Sequence, residues 1–484
     1  MAVMWTRRNL IKAGMAAGAA AGFASFPFIN VSCSSAGRNV IFVICDALRF
    51  DRVRRMKEFN GLRQSLTPNL DAFASEGLSF LNAKSPSTFT VVSMLSLMYD
   101  KAPTSVLYTG FGTKVDKPHT SIASRLKSAG YVTLLACAND VLSMDSIREG
   151  FYDTSQIRRT RASMAKEDKG RGGALMPEIS GPRLNSRLSR LLDRHRREIA
   201  ARPLYLQVHY MDTHQPYNAT GFKPLVPFDE RIFPRILNTA VEEKRRYYPT
   251  RKITVQQAIQ CLVEYYDSAA HALDRFLGDL FAQLADRKIL DDALVIITAD
   301  HGEEFADNKE TARQHVGHSG PLDEELIHVP LIVRSTGYNG YASGGKTVSN
   351  QVSTVRVFND LIHDYVEVDS GLYSPTRAAL HAGTFPDHDV VSALNWYNTE
   401  TNEASCVSRY KDGYVKYRVF YRNDGSIARE KTFLFGPDGT LAPIALSKEM
   451  KQAAAAGLKN MRPPRPIIDK ESEDKLRGLG YTNH

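Results

Sequence analysis

Cysteine is scarce and dispersed. The five in 484 residues, Cys33, Cys45, Cys137, Cys261 and Cys406, are odd in number and never fall in CxxC spacing. A disulfide framework and a zinc knuckle are thereby excluded, and Cys45 and Cys137, set in apolar runs, read as small buried hydrophobes. No repeat occurs at solenoid or propeller periods, and Gly110-Phe-Gly112 lacks the third glycine of a dinucleotide loop. Broad disorder is excluded too, because 43% of the residues are hydrophobic and 24% charged, ordinary values for a folded chain. A net charge of +9 is modest at this length. It fits anionic substrates or surfaces, or a plain solvated exterior, and implies no nucleic-acid partner.

Against that plain background, two apolar runs end abruptly in metal-ligand residue types: Val40-Ile-Phe-Val-Ile-Cys-Asp46 and Leu294-Val-Ile-Ile-Thr-Ala-Asp-His-Gly-Glu-Glu304. A short continuous run of β-branched and aliphatic residues reads as a strand buried on both faces, as in the parallel sheet of an α/β protein. Such sheets bind ligands at the carboxyl ends of their strands. Asp46 and the Asp300-His301 pair delivered to one edge would form a divalent-cation site, whereas either carboxylate alone reads equally well as a helix N-cap.

Residues 1–36 read as a twin-arginine export signal: Trp5-Thr-Arg-Arg-Asn-Leu-Ile-Lys12, a weakly apolar Ala/Gly-rich stretch from Ala13 to Phe28, then small residues at Ser34-Ser-Ala36. The stretch is too short and too rich in Gly and Ala for a membrane span. The expected location is the periplasm, with lipid anchoring through Cys33 as the alternative.

Strand and helix signals then alternate. They place strands at Val40–Cys45, Tyr131–Cys137 and Leu204–Tyr210, a helix opened by Thr67 as N-cap and Pro68, a helix over Ile122–Ala129 and a long one over Ala258–Leu284. This predicts an α/β domain over 37–375, a mostly parallel sheet flanked by helices. From 376 to 484 Tyr/Val/Lys alternation with Asp-Gly turns predicts a small C-terminal antiparallel sheet subdomain. Leu184, Leu188, Leu191 and Leu192 beside Arg183, Arg187, Arg190, Arg194 and Arg197 predict an amphipathic helix over Arg183–Ile199. Its basic face would meet solvent, a membrane surface or a polyanion. Residues 158–182 lack periodicity and read as a mobile excursion; 155–182 and 220–255 are the expected specificity loops.

The order of motifs resembles the sulfatase branch of the alkaline phosphatase superfamily. Asn39-Val-Ile-Phe-Val-Ile-Cys-Asp-Ala-Leu-Arg-Phe-Asp51 is similar to its opening strand and first metal carboxylate. Leu66-Thr-Pro-Asn-Leu-Asp-Ala-Phe-Ala-Ser-Glu-Gly-Leu-Ser-Phe80 resembles the helix that follows. Thr298-Ala-Asp-His-Gly-Glu-Glu-Phe305 and Gly317-His-Ser-Gly-Pro-Leu-Asp-Glu-Glu-Leu-Ile-His-Val-Pro-Leu-Ile-Val333 resemble its late metal and substrate motifs, and Leu476-Arg-Gly-Leu-Gly-Tyr481 its close. The resemblance implies an alkaline-phosphatase-like fold and one divalent ion, Ca, Mn, Mg or Zn, held by Asp46, Asp300 and His301, with the nucleophile touching it. It implies His318 as general acid and His214 in substrate binding; His119 and His328 receive no role from it, and His315 stays open as a second ligand or acid.

The familiar formylglycine motif, Cys/Ser-x-Pro-Ser-Arg, is altered here. In Ser85-Pro-Ser-Thr-Phe-Thr-Val-Val-Ser-Met-Leu-Ser-Leu-Met-Tyr-Asp100, alignment on Ser93 and Leu97 puts Thr90 at the nucleophile position, Val92 for Pro and Met94 for Arg. With no cysteine in the window, the match is to members with an unmodified Thr nucleophile. Ser93 and Thr88 are the fallbacks, and all three hydroxyls also fit helix capping. A threonine alkoxide forms a phospho-threonine that water or an alcohol resolves, whereas a sulfo-threonine lacks the hemiacetal's route for expelling sulfate. The expected function is an exported metal-dependent hydrolase of phosphate or sulfate esters. The alternatives are a phospho-headgroup transferase acting on envelope components, with peripheral membrane contact, and a non-catalytic binding protein of this fold.

Overall fold

The computed structural model describes residues 38–59, 62–103, 120–156, 180–215, 217, 255–307, 316–318, 322–335, 345–366, 390–394, 401–410, 413–422, 426–435 and 441–443. The export signal with Cys33, most of the two expected specificity loops, His119, His315 and the closing Leu476–Tyr481 stretch lie outside these residues.

The strands are β1 (Asn39–Cys45), β2 (Met56–Phe59), β3 (Leu62–Ser65), β4 (Leu78–Lys84), β5 (Val132–Cys137), β6 (Asp153–Gln156), β7 (Leu204–Tyr210), β8 (Ala293–Thr298), β9 (Glu304–Phe305), β10 (Val316–Gly317), β11 (His328–Ser335) and β12 (Lys346–Ser353). A further five, β13 (Val390–Leu394), β14 (Thr401–Tyr410), β15 (Gly413–Arg422), β16 (Ile427–Phe435) and β17 (Leu441–Pro443), form a separate antiparallel sheet. The central sheet has eight strands in the order β12-β4-β11-β8-β1-β7-β5-β6. Its pairings are parallel except at β11, which runs against β4 and β8.

Successive residues of a strand point to opposite faces, and β1 shows why it must be apolar throughout. Val40, Phe42 and Ile44 enter one core cluster, while Ile41, Val43 and Cys45 enter the other. Each such side chain contributes roughly 1.5–3 kcal/mol on burial. Register then fixes the functional edge. Val43 lies beside Val208 of β7 and Ile297 of β8, so the residues following all three strands emerge together.

The longer helices are α1 (Pro68–Ser75), α2 (Thr90–Tyr99), α3 (Ile122–Ser128), α4 (Gly181–Arg194), α5 (Val255–Asp286) and α6 (Thr354–Val366). Helix α2 is buried over its whole length, and Asn359 of α6 donates to the Leu97 carbonyl at 3.1 Å. No described helix is long and apolar enough to cross a membrane.

Three local expectations are corrected. Thr67 occupies the N-cap position of α1 but makes no capping hydrogen bond. Asp274 of α5 takes that work instead, accepting from Asn69 N at 2.9 Å and Leu70 N at 2.8 Å, a carboxylate on the positive end of the helix. The expected single helix over Arg183–Ile199 is two, because His195 leaves helical geometry with its Nε2 2.8 Å from Asp153 Oδ2, and a short second helix follows at Arg196–Ala201. The excursion expected to reach 182 ends sooner, since α4 already starts at Gly181.

The C-terminal sheet is tied to the central one through β15. Arg418, fully buried, places Nη1 2.5 Å from Asp323 Oδ1 and Nε 2.5 Å from Glu403 Oε1. Glu403 Oε2 also accepts from Leu322 N at 3.2 Å. Beside it, Glu324 receives both Lys416 and Lys84. Arg418→Met would leave two carboxylates buried without their counter-charge. The expected loss is about 3–5 kcal/mol, read as a lower urea midpoint at unchanged slope; an unchanged midpoint would contradict this account of the triad.

Candidate active site

Three side chains meet at the carboxyl edge of the sheet. Asp46 follows β1 and Asp300-His301 follows β8. All are fully buried, with one ligand atom from each lying within 4.8 Å of the others. His301 Nδ1 is 2.8 Å from the Gly302 carbonyl, and an N–H donated there leaves Nε2 as the ligating nitrogen. That Nε2 stands 3.7 Å from Asp46 Oδ1 and 3.6 Å from Asp300 Oδ2. Neither oxygen has a hydrogen-bond partner.

The other oxygen of each carboxylate is held firmly. Asp46 Oδ2 accepts from Asn139 Nδ2 at 2.8 Å and lies 2.9 Å from His209 Nε2; Asp300 Oδ1 accepts from Ala47 N at 3.2 Å and His301 N at 3.0 Å. Ala47 takes φ of 61°, a left-handed conformation costly for a residue with a Cβ, and Tyr266 steadies it by donating to its carbonyl at 2.6 Å. Burial and then Asp46 push the Asp300 carboxyl up. On Asp46 burial also pushes up, but His214 and His209 outweigh it and hold it below the usual range. Burial drives the His301 imidazolium down, yet Asp300 and Asp46 overcome that and raise it. Two hard carboxylate oxygens and an imidazole nitrogen, converging and otherwise unbonded, fit a divalent cation.

Thr90 is the first residue of α2, preceded by Phe89 as N-cap, so its hydroxyl does not cap the helix. Its Oγ1 lies 3.2 Å from His301 Nε2, beside the unbonded carboxylate oxygens and at the positive end of a buried helix. Of the fallback hydroxyls, Ser93 donates to the Ser87 carbonyl at 3.1 Å, while buried Thr88 precedes the helix.

His318 and His214 complete the cluster. The His318 ring stacks 4.6 Å from His301, and His214 lies 4.6 Å from His318. Buried Glu303 sets Oε2 3.6 Å from His318 Nδ1. Burial pushes His214 down to about 4, so its ring is neutral near pH 7. His328 stands apart, its Nε2 2.9 Å from the Leu81 carbonyl and its ring 4.1 Å from Phe50. The geometry thus gathers Asp46, Thr90, Asp300, His301, His214 and His318. It adds Asn139, His209 and Glu303, for which no signal stood in the sequence except that Glu303 adjoins the Asp300-His301 motif.

A family model for sulfatases matches residues 38–364. The chain belongs to the sulfatase family. No curated protein matches it. Solved structures similar to this sulfatase-family chain include the phosphonate monoester hydrolase of Agrobacterium radiobacter, 16% identical, covering 92% of this chain and 96% of that one, TM-score 0.58. Another was solved with its substrate D-glucosamine-2-N,6-O-disulfate, at 14% identity, 91% and 98% coverage and TM-score 0.62. The lipoteichoic acid synthase LtaP from Listeria monocytogenes is 17% identical, with 91% and 92% coverage and TM-score 0.51. At these identities the likeness establishes the alkaline-phosphatase-like fold and leaves the substrate open.

Two predictions follow from this sulfatase-family site. A Cβ on Gly302 would come within 2.1 Å of the Glu325 carbonyl oxygen, so Gly302→Ala must shift the backbone beside His301. Affinity for Mn2+ in calorimetry is expected to fall roughly tenfold or more, as for other losses of ligand support; equal affinity would refute the constraint. The second concerns Asp212, buried behind the site with Oδ1 accepting from Gly181 N and pushed up to about 7 by burial. The unfolded carboxyl titrates near about 4, so the folded chain loses stability as pH rises from there to about 7 and no further above. Asp212→Asn is expected to raise Tm at pH 8 and leave it unchanged at pH 4, in metal-free buffer.

Proposed function

We propose that this chain is an exported, metal-dependent hydrolase that cleaves phosphate or phosphonate esters, or sulfate esters, through Thr90. One observation carries the reading: a buried threonine hydroxyl at a helix N-terminus, 3.2 Å from the His301 nitrogen that points between two unbonded carboxylate oxygens. Asp46, Asp300, His301 and Thr90 would hold the ion. A divalent ion there would lower the cost of ionising the hydroxyl and draw charge from the ester oxygens.

Thr90 Oγ1, as the alkoxide that a divalent ion would stabilise, bonds to phosphorus or sulfur as the bond to the leaving alcohol oxygen breaks, and the second step returns the same alkoxide. His318, whose Nδ1 faces Glu303 Oε2 at 3.6 Å, gives a proton to that oxygen. Water then attacks the threonine ester, surrendering a proton to the now neutral His318 and freeing Thr90. His214, neutral before substrate arrives, gains proton affinity from the incoming oxyanion and binds it. The unmodified threonine favours phosphorus over sulfur, for the leaving-group reason given above. The Arg7-Arg8 leader supports action outside the cytoplasm.

The test is turnover of nitrophenyl phosphate, phosphodiester, phosphonate and sulfate by residues 37–484 with Mn2+, Zn2+, Ca2+ or Mg2+. Thr90→Ala is expected to lower kcat/KM roughly 1,000-fold or more on the preferred ester, and Thr90→Ser to retain part of it. His318→Asn is expected to slow an alkyl ester far more than a nitrophenyl one, because nitrophenolate needs no proton. Turnover that survives Thr90→Ala would refute the assigned nucleophile. Slow hydrolysis that accelerates with an added alcohol would instead favour the headgroup transferase, a class that similarity to a lipoteichoic acid synthase keeps in view.

A further inference from the structure

Helix α4 carries its four leucines inward, all buried in the core cluster on one face of the sheet. Its other side presents Arg183, Arg187, Arg190 and Arg194, which with Ser155 of β6 and Ser186 line a cleft of about 560 Å3. The spacing from Arg183 to Arg194 spans about 16 Å along the helix. Arg194 has Asp153 at 2.6 Å as its counter-charge. Arg183, Arg187 and Arg190 have no carboxylate partner among the described residues, although the same helix spends Asp193 on Arg287. Burial, then repulsion from Arg183 and Arg190, pulls the Arg187 guanidinium down from its ordinary value. Such crowding costs stability unless something anionic relieves it.

The helix begins at the functional edge, where Gly181 N donates to Asp212 at 2.9 Å, and runs away from it along the outermost strands of the sheet. Arginines spread over this distance are too far apart to meet on a single sulfate or phosphate, so the row calls for repeated anions. A bilayer fits poorly. The cleft is concave, and the apolar side chain of α4 that lines it, Leu191, is 1% exposed and held in the core cluster, so it cannot enter an acyl region. We propose that this cleft is a binding site for an extended polyanion bearing sulfate or phosphate groups at intervals along one chain, separate from Thr90 and usable whether or not the bound chain is cleaved.

Fluorescence anisotropy of labelled heparin oligosaccharide and labelled linear polyphosphate, with the full mature chain, tests this. Wild type is expected to bind at least one of the two, more weakly as salt rises. Thr90→Ala is expected to bind as wild type does, which separates the cleft from the catalytic centre. The triple change Arg183→Glu, Arg187→Glu, Arg190→Glu is expected to weaken binding roughly tenfold or more at unchanged Tm and unchanged turnover of a nitrophenyl ester. The milder pair Arg187→Gln, Arg190→Gln serves if the triple variant melts early, and should weaken binding in the same direction. Preference for heparin or for polyphosphate identifies the anion. Equal binding by wild type and both variants, no binding of either polymer, or binding only to phosphatidylglycerol vesicles would overturn the proposal.

Discussion

Two carboxylates buried at one strand edge, with the inner oxygen of each left without a hydrogen bond, set the terms for everything around them. Buried like charges so close repel strongly at low dielectric, and an unpaired buried charge is among the costliest features a fold can carry. Asp46 and Asp300 are nevertheless fixed in that arrangement, their outer oxygens clamped by Asn139, His209 and the backbone of Ala47 and His301. The clamps leave the two inner oxygens turned toward His301 Nε2, an arrangement that fits a cation. The local strain at Ala47 fits the same logic, since strained backbone persists where surrounding structure forces it.

The segment from Leu322 to His328 joins this centre to the rest of the molecule. Gly302, next to His301, donates to the Leu326 carbonyl at 2.7 Å, and Ser85, at the head of the stretch that carries Thr90, donates to the Ile327 carbonyl at 2.7 Å. The same segment offers Asp323 to Arg418 and Glu324 to Lys416. One short piece of chain therefore links the loop of Asp300 and His301, the stretch leading to Thr90 and the C-terminal sheet. The C-terminal sheet is joined to this segment through buried charge pairs, which specify position at the expense of desolvation.

Much of this was legible because β1 and β8 are apolar without alternation, a pattern that only a doubly covered strand tolerates, and because each ends on ligand residues. Thr90 was legible only through its place in a motif; by residue type it does not differ from Thr88 or Ser93. Asn139 and His209 were not legible. They act through contacts more than ninety residues away from Asp46 in the chain, and a polar residue at the end of an apolar strand has many bland uses. The burial of Arg418 and Lys416 was not legible either, because Asp323 and Glu324, which offset their desolvation together with Glu403, lie about ninety residues away in the chain.

By itself the sequence determined the strand and helix order, the family, and the residues offered at the strand ends, since each follows from local period, turn chemistry and motif order. Tertiary structure alone decided which oxygen of each carboxylate stays unbonded, which of three hydroxyls faces His301, and how α4 ends at His195 and lines up its arginines along a cleft. Those outcomes depend on distances between residues remote in the chain, and strand register, not local propensity, sets such distances.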